Sequence, residues 1–442
     1  MIARRQALLA TLFGAGGAGL RALATGLPLS FLRDPRRALA ASSPPSSSDA
    51  ACASADKAQF IIFSTSGDGD SINTSAPGTY EDPRIVHSPD PALAPSPLML
   101  AGRMFSAGAP WATLPQDVLD RTVFFHLQTG TPVHSEEPSV LRLMGATQPS
   151  EMLPSLLARQ MAGCLGTVQS RPLSIGARTP SETLNAGGTV LPVVPPLALK
   201  ATLTSPTGPL AALQPLRDST LNQLYGLYKT GASPAQQRYL DALVTSRQQL
   251  GAIKSDVLQA LSGVTDNGPD AQALTAVALI QMKVTPVLTI HVPFGGDNHH
   301  DAGLATETAQ TISGVATIAA LMRRLRAVGL QDQVTFMSLN VFGRNLGPGN
   351  IDGRAHNSNH QVSVVIGRPF RGGVVGGVAP ADVDYGAVSI DSRTGAGGPQ
   401  GDVAPVDTLA AFGATMLTAV GGDASSIKSP TGTGKVLTSV LA

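Results

Sequence analysis

The chain has 442 residues, of which 43% are hydrophobic, 14% charged and 4% aromatic, with two cysteines and a formal net charge of +1. That hydrophobic content supports a large core and excludes a disordered chain, and the sparse charge excludes a coiled coil or a charge-rich solenoid. The near-zero net charge leaves no electrostatic footprint for nucleic acid, and two cysteines exclude a disulfide scaffold or a multi-cysteine zinc module.

Residues 1–40 read as a leader. Arg4 and Arg5 precede a weakly apolar run, Ala7 to Leu32, loosened by Gly14, Gly16, Gly17, Gly19 and Gly26. This order resembles a twin-arginine export signal, with cleavage expected after Ala40 in Ala38-Leu39-Ala40. A membrane anchor is the competing reading; Arg21 and the glycines argue against it. Residues before Cys52 make a poor lipoprotein signal. Loss of residues 1–40 removes six arginines and one aspartate, leaving 25 basic and 29 acidic residues and a net charge of −4. The expected location is the periplasm or the exterior, with no integral membrane span after signal removal. Residues 41–58 are Ser-, Ala- and Pro-rich and read as a flexible linker. Cys52 in that linker and the distant Cys164 predict no structural disulfide.

The fold is expected to start at Gln59, as a single α/β domain over 59–442. Phe60-Ile61-Ile62-Phe63 is a continuous apolar run suited to a strand buried on both faces. It ends in the turn-forming Gly67-Asp68-Gly69-Asp70-Ser71, and Val123-Phe124-Phe125 predicts a second buried strand. Residues 171–212, rich in Pro, Thr and Gly, read as surface loops. From about 216 to 264 the apolar spacing predicts a helical insertion of two amphipathic helices, the second starting at Ser233-Pro234.

Residues 286–367 are the most readable. Pro286 to Val292 predicts a strand, Gly295 to Asp301 a loop, Leu304 to Val328 a helix capped by Gly329, and Val334 to Leu339 a further strand. Strand, helix and strand make a parallel crossover, so the loops after the strands share one sheet edge, where ligands bind in open α/β sheets. Asp70, Asp297, His299, His300 and Asn340 can therefore meet in space. Five of the eight histidines, His291, His299, His300, His356 and His360, lie between 291 and 360. Carboxylates and imidazoles together suit zinc, manganese, iron or a related divalent ion. The loop reads as a metal- or phosphate-type site, with a solvated polar turn as the alternative. His291, inside a strand, reads as packing. Gly432-Thr433-Gly434-Lys435 is not a nucleotide loop, because Ser429 and Val436 occupy the positions of the required Gly and Ser/Thr. No Gly-x-Ser-x-Gly elbow marks a serine hydrolase.

Four segments occur in order: GDGDSINT at Gly67 to Thr74, GGDNH at Gly295 to His299, NVFGRN at Asn340 to Asn345, and GRAH at Gly353 to His356. In this set the chain resembles the 1501 family of domains of unknown function, exported bacterial proteins related to alkaline phosphatases and sulfatases, from about Gln59 to Gly421. The family patterns are G-G-x-D-G-L-N-T, G-G-W-D-T-H, S-E-F-G-R-T and G-x-D-H. The resemblance implies an alkaline-phosphatase-like α/β fold, with a mixed, mostly parallel sheet flanked by helices on both faces. It implies metal ligation by Asp70, Asp297, His299 and His356, with His300 and His360 as partial substitutes. Thr74 and Thr131 become candidate nucleophiles, Arg344 a clamp for an anionic group, and His134 the counterpart of a family His that follows the nucleophile region. Val341 and Ala355 stand where the family has Glu and Asp. Two dications held close together need such carboxylates, so at most one divalent ion is expected. The implied function is an exported metal-dependent hydrolase of small phosphate or sulfate esters with an eroded metal site. The alternative is a non-catalytic binding or structural protein of the envelope; a third reading is an exported partner that matures another envelope protein.

Overall fold

The computed structural model describes residues 57–442 apart from 144–151, 168, 177–184, 187–188, 192, 205–213, 232–236, 238–257, 260, 349–350 and 383. The expected leader, nearly all of the linker and most of the second helix of the insertion lie outside the described residues.

Seven strands form the main sheet: β1 (Phe60–Ser66), β2 (Thr122–Leu127), β3 (Leu173–Ser174), β4 (Val287–Ile290), β5 (Val334–Asn340), β6 (Gln361–Ile366) and β7 (Gly373–Val375). Their spatial order is β7-β2-β6-β5-β1-β4-β3. β1 pairs in parallel with β4 and β5, in the register Ile61↔Val287 and Phe60↔Val334. β3 is parallel to β4, and β7 to β2. β6 alone runs against its neighbours β2 and β5. The protein is thus α/β with a mixed, mostly parallel sheet, and the crossover expected over 286–339 is present.

Helices cover both faces. They include α1 (Leu153–Leu165), α2 (Pro196–Thr204), α4 (Pro269–Gln281), α5 (Ala305–Ala327) and α6 (Thr408–Ala419); α3 (Gln214–Thr230) contributes no described residue to either core cluster. Side chains alternate along a strand, and β1 divides the core accordingly. Phe60 and Ile62 join the apolar cluster that includes α4 and α5; Ile61 and Phe63 join the one that includes α1 and α6. The β1 run of four consecutive apolar residues, Phe60 to Phe63, therefore feeds two cores at once. No described helix is long and apolar enough to cross a membrane.

The ends of α5 follow from its sequence. Both oxygens of Asp301 accept first-turn N–H groups, from Thr306 at 2.8 Å and Glu307 at 2.9 Å. Gly329, at φ +70°, ends it in the left-handed conformation.

Two expectations are corrected. The segment 171–212 contains helix α2 and edge strand β3, so it is not loop throughout; Leu199 of α2 is buried in the core, and that packing outweighs the loop-like composition around it. Cys164 is disulfide-bonded. The chain's one other cysteine, Cys52, lies outside the described residues.

Glu307 and Arg354 form a fully enclosed ion pair, with Arg354 Nε 2.7 Å from Glu307 Oε2. Arg354 also donates to the carbonyls of Asn345 and Val86, and Asn298 Nδ2 donates to Glu307. Removing one partner strands the other charge away from water. Glu307→Ala should therefore lower stability by about 3–5 kcal/mol, read from urea unfolding. A loss below about 1 kcal/mol, the range of exposed pairs, would contradict this account.

Candidate metal site at the carboxyl edge of the sheet

The parallel strands β1, β2, β4 and β5 end at one edge, and antiparallel β6 begins there. The loops that follow or precede them carry His134, Asp297, His299 and His356. Each of these four offers a ligand atom, and the four atoms lie within 4.8 Å of one another.

Backbone carbonyls orient two of the imidazoles. His134 Nδ1 lies 2.7 Å from Gly67 O, and His356 Nδ1 lies 2.5 Å from Pro132 O. A carbonyl only accepts, so each Nδ1 carries the proton and, in the neutral ring, Nε2 keeps its lone pair for the cluster. His299 Nε2 sits 2.7 Å from His356 Nε2 and 3.4 Å from Asp297 Oδ1. His134 Nε2 approaches Asp297 Oδ2 at 3.6 Å. Two ring nitrogens at 2.7 Å share a proton: His356 Nε2, which keeps its lone pair, accepts from His299 Nε2.

The buried Phe342 ring supports this arrangement. It stacks on His356 at 4.0 Å between centroids and meets His134 edge-on at 5.0 Å. Enclosure pulls the His356 pKa down to about 4; the Pro132 carbonyl opposes this, and the charges of Arg344, His134 and His299 reinforce it. Burial alone would raise the Asp297 pKa, but the charge and hydrogen bond of Arg344, with His134 and His299, bring it below the usual carboxylate value. Near neutral pH the site thus presents an ionised carboxylate beside a neutral imidazole, the protonation states that metal binding requires.

The loops approach closely. A Cβ on Gly353 would lie 2.0 Å from the His299 carbonyl oxygen, and its φ is +134°. Only glycine lets the chain leading to His356 pass against the chain carrying His299.

The other expected residues are placed as follows. Asp70 is buried outside the four-residue cluster, its Oδ1 accepting N–H from Phe294 at 3.2 Å and from Gly296 at 2.7 Å. It braces the loop that presents Asp297. Asn340 does likewise, donating to the Asp70 carbonyl. His300 is exposed and outside the cluster. His291 is buried, with Nδ1 3.0 Å from Thr65 O.

His360 pairs instead with His126. Both are fully buried, with His126 Nδ1 2.9 Å from His360 Nε2. His126 Nε2 faces Pro77 O at 2.9 Å, and His360 Nδ1 faces Asn73 Nδ2 at 3.4 Å. These contacts set one donor chain, from Asn73 through His360 and His126 to the Pro77 carbonyl, with both rings neutral. Its nitrogens are all used, which is why His360 supplies no ligand to the cluster.

The proposed nucleophiles are also enclosed. Thr74 Oγ1 lies 2.8 Å from Ser71 O and 2.9 Å from Glu307 Oε1. Thr131 is buried, and its Oγ1 accepts the N–H of Val133. The Arg344 side chain has no exposed surface. It donates to the carbonyls of Gly69, Asp68, Gly296 and Arg354 and to Asp297 Oδ1 at 3.1 Å. A guanidinium so committed fastens loops together and has no face open to an anionic substrate, which corrects its expected role as a clamp.

No protein-family model and no curated protein sequence matches the chain.

Sequence reasoning left His134 outside the ligand set and gave Phe342 no role. Thr129 to His134 follows β2 at the shared edge, so the rule that gathered Asp297 and Asn340 applied to His134 too. The stacking of Phe342 depends on tertiary packing.

The neutral His126–His360 pair predicts acid sensitivity. Burial, opposed at His126 by the Pro77 carbonyl, lowers its pKa from 6.5 to about 4; burial and the neighbouring His126 hold His360 well below 6.5. The unfolded chain therefore takes up protons below about pH 6.5 that the folded chain refuses. The stability they contribute is present above that pH and is lost as pH falls toward 4. Between pH 7.5 and 5.0 the His126 ring should account for about 2 kcal/mol of lost stability, with His360 acting in the same direction. Urea unfolding of the wild type and of His126→Gln checks this: the variant's pH slope should be shallower by about one proton. Equal slopes would contradict the neutral pair.

Proposed function

We propose that the chain is an exported protein of the alkaline phosphatase/sulfatase-like class that binds one divalent metal ion through His134, Asp297, His299 and His356. The observation that carries this reading is the gathering of one ligand atom each from His134, Asp297, His299 and His356 within 4.8 Å of one another, two of the rings being held in the required tautomer by backbone carbonyls. Three nitrogens and one oxygen suit zinc or a neighbouring first-row ion over magnesium or calcium.

The mostly parallel sheet with helices on both faces, and the ordered motifs around Asp70, Asp297, Arg344 and His356, support the superfamily reading. The arginine pair and the apolar leader support export to the periplasm. Asp297 and His299 are exposed, so the site is open to a small anionic phosphate or sulfate ester. When bound, the ion supplies Lewis acidity toward such an ester. The chain's own part is to hold the carboxylate and the imidazoles in place. Thr74 and Thr131 are enclosed, so the attacking group in this reading is water.

A second reading, a non-catalytic binding or structural protein of the envelope, is favoured by the enclosure of Thr74 and Arg344.

Elemental analysis of protein loaded with zinc or cobalt and then desalted tests the proposal. We expect one ion per wild-type chain, and loss of that ion in His299→Ala. Two ions per chain, or full retention in the variant, would refute the site. Hydrolysis of aryl phosphate and aryl sulfate by the loaded chain separates the two readings: turnover abolished by His299→Ala supports the hydrolase, and a loaded chain without turnover supports the envelope protein.

A further inference from the structure

We infer that Arg344 is the positioning residue of this site: its buried guanidinium brings the Asp297 carboxylate to the histidines and thereby sets the strength of metal binding. The inference rests on the metal-binding reading above.

Three observations converge on it. First, Arg344 and His356 are cross-strand partners in the short antiparallel ladder Gly343–Arg344 with His356–Asn357. Arg344 is thus built into the backbone unit that carries one ligand. Second, its Nη2 reaches across to the loop after β4, donating to Gly296 O and to Asp297 Oδ1, each at 3.1 Å. One side chain therefore spans from the strand of His356 to the carboxylate. Third, Nε donates to Gly69 O at 2.6 Å and Nη2 to Asp68 O at 2.5 Å, in the loop after β1. That loop also supplies Gly67 O, which orients His134. Arg344 thus contacts the loops that hold or orient His134, Asp297 and His356.

The side chain of Asp297 is 46% exposed, while that of Arg344 is fully enclosed. A half-exposed carboxylate on a loop has many rotamers to choose from, and a fixed buried cation narrows the choice. Lysine keeps the charge but lacks the planar fork that serves several acceptors at once. Charge alone is therefore insufficient.

The test measures zinc affinity by competition with a chromophoric chelator, and the absorption spectrum of the cobalt-loaded protein. It uses full-length wild type, Arg344→Gln, Arg344→Lys, Asp297→Asn and the double variant Arg344→Gln/Asp297→Asn. Loss of a residue that orients a ligand typically costs about 10- to 100-fold in metal affinity. We expect a loss of that size in Arg344→Gln and a smaller one in Arg344→Lys. The cobalt spectrum of Arg344→Gln should shift toward that of Asp297→Asn, as the carboxylate leaves the coordination sphere. The double variant should bind no worse than Asp297→Asn alone, because Arg344 acts through that carboxylate. Wild-type affinity and spectrum in Arg344→Gln, or losses that add in the double variant, would overturn the inference. If Arg344→Gln does not fold, Arg344→Lys decides: reduced affinity with a shifted spectrum supports the inference, and wild-type values overturn it. A wild-type chain that binds neither zinc nor cobalt would overturn the metal site itself, a result distinct from all of these.

Discussion

The guanidinium of Arg344 is the contact on which the carboxyl edge of this protein depends. It donates to carbonyls in the loops after β1 and β4 and in the segment before β6, and to one carboxylate. An arginine enclosed this deeply needs its donors occupied. The loops must therefore close around it, and the closure gathers residues that lie hundreds of positions apart. The Glu307–Arg354 pair makes a second tie beside it, joining the helix after the His/Asp loop to the segment two residues before His356. Gly353 lets the segment before His356 touch the loop that carries His299.

The sheet explains why the ligands can meet at all. Parallel strands deliver their following loops to one edge, and the reversed strand β6 returns its preceding segment to that same edge. His134, Asp297, His299 and His356 thus come from loops after two parallel strands and before one antiparallel strand. The antiparallel pairing of β6 is what brings His356 to this edge.

Much of the frame was legible in the residues. Phe60 to Phe63 is a continuous apolar run, Pro286 to Val292 and Val334 to Leu339 are mostly apolar, and the three form β1, β4 and β5 side by side. The helix ending at Gly329 was readable from its stripe and its cap. What was not legible came from tertiary contacts. α2 lies in a segment whose composition suggests loop. His360 has the residue type of a ligand, yet it is paired with His126 from β2. Asp70 has the residue type of a ligand too, and it accepts two backbone N–H groups of the neighbouring loop. Residue type showed which side chains could bind a metal; only the packing shows which of them are already engaged. Val341 is part of the apolar core and Ala355 is exposed, so neither position contributes negative charge to a second ion.

X-ray absorption at the zinc edge of the loaded, full-length protein reads the donor set and the number of ions. We expect one ion with an imidazole-rich shell, three nitrogen donors at about 2.0–2.1 Å and one carboxylate oxygen at a similar distance. An all-oxygen shell, or a metal–metal scattering path at about 3.5–4 Å as in two-metal sites, would contradict it.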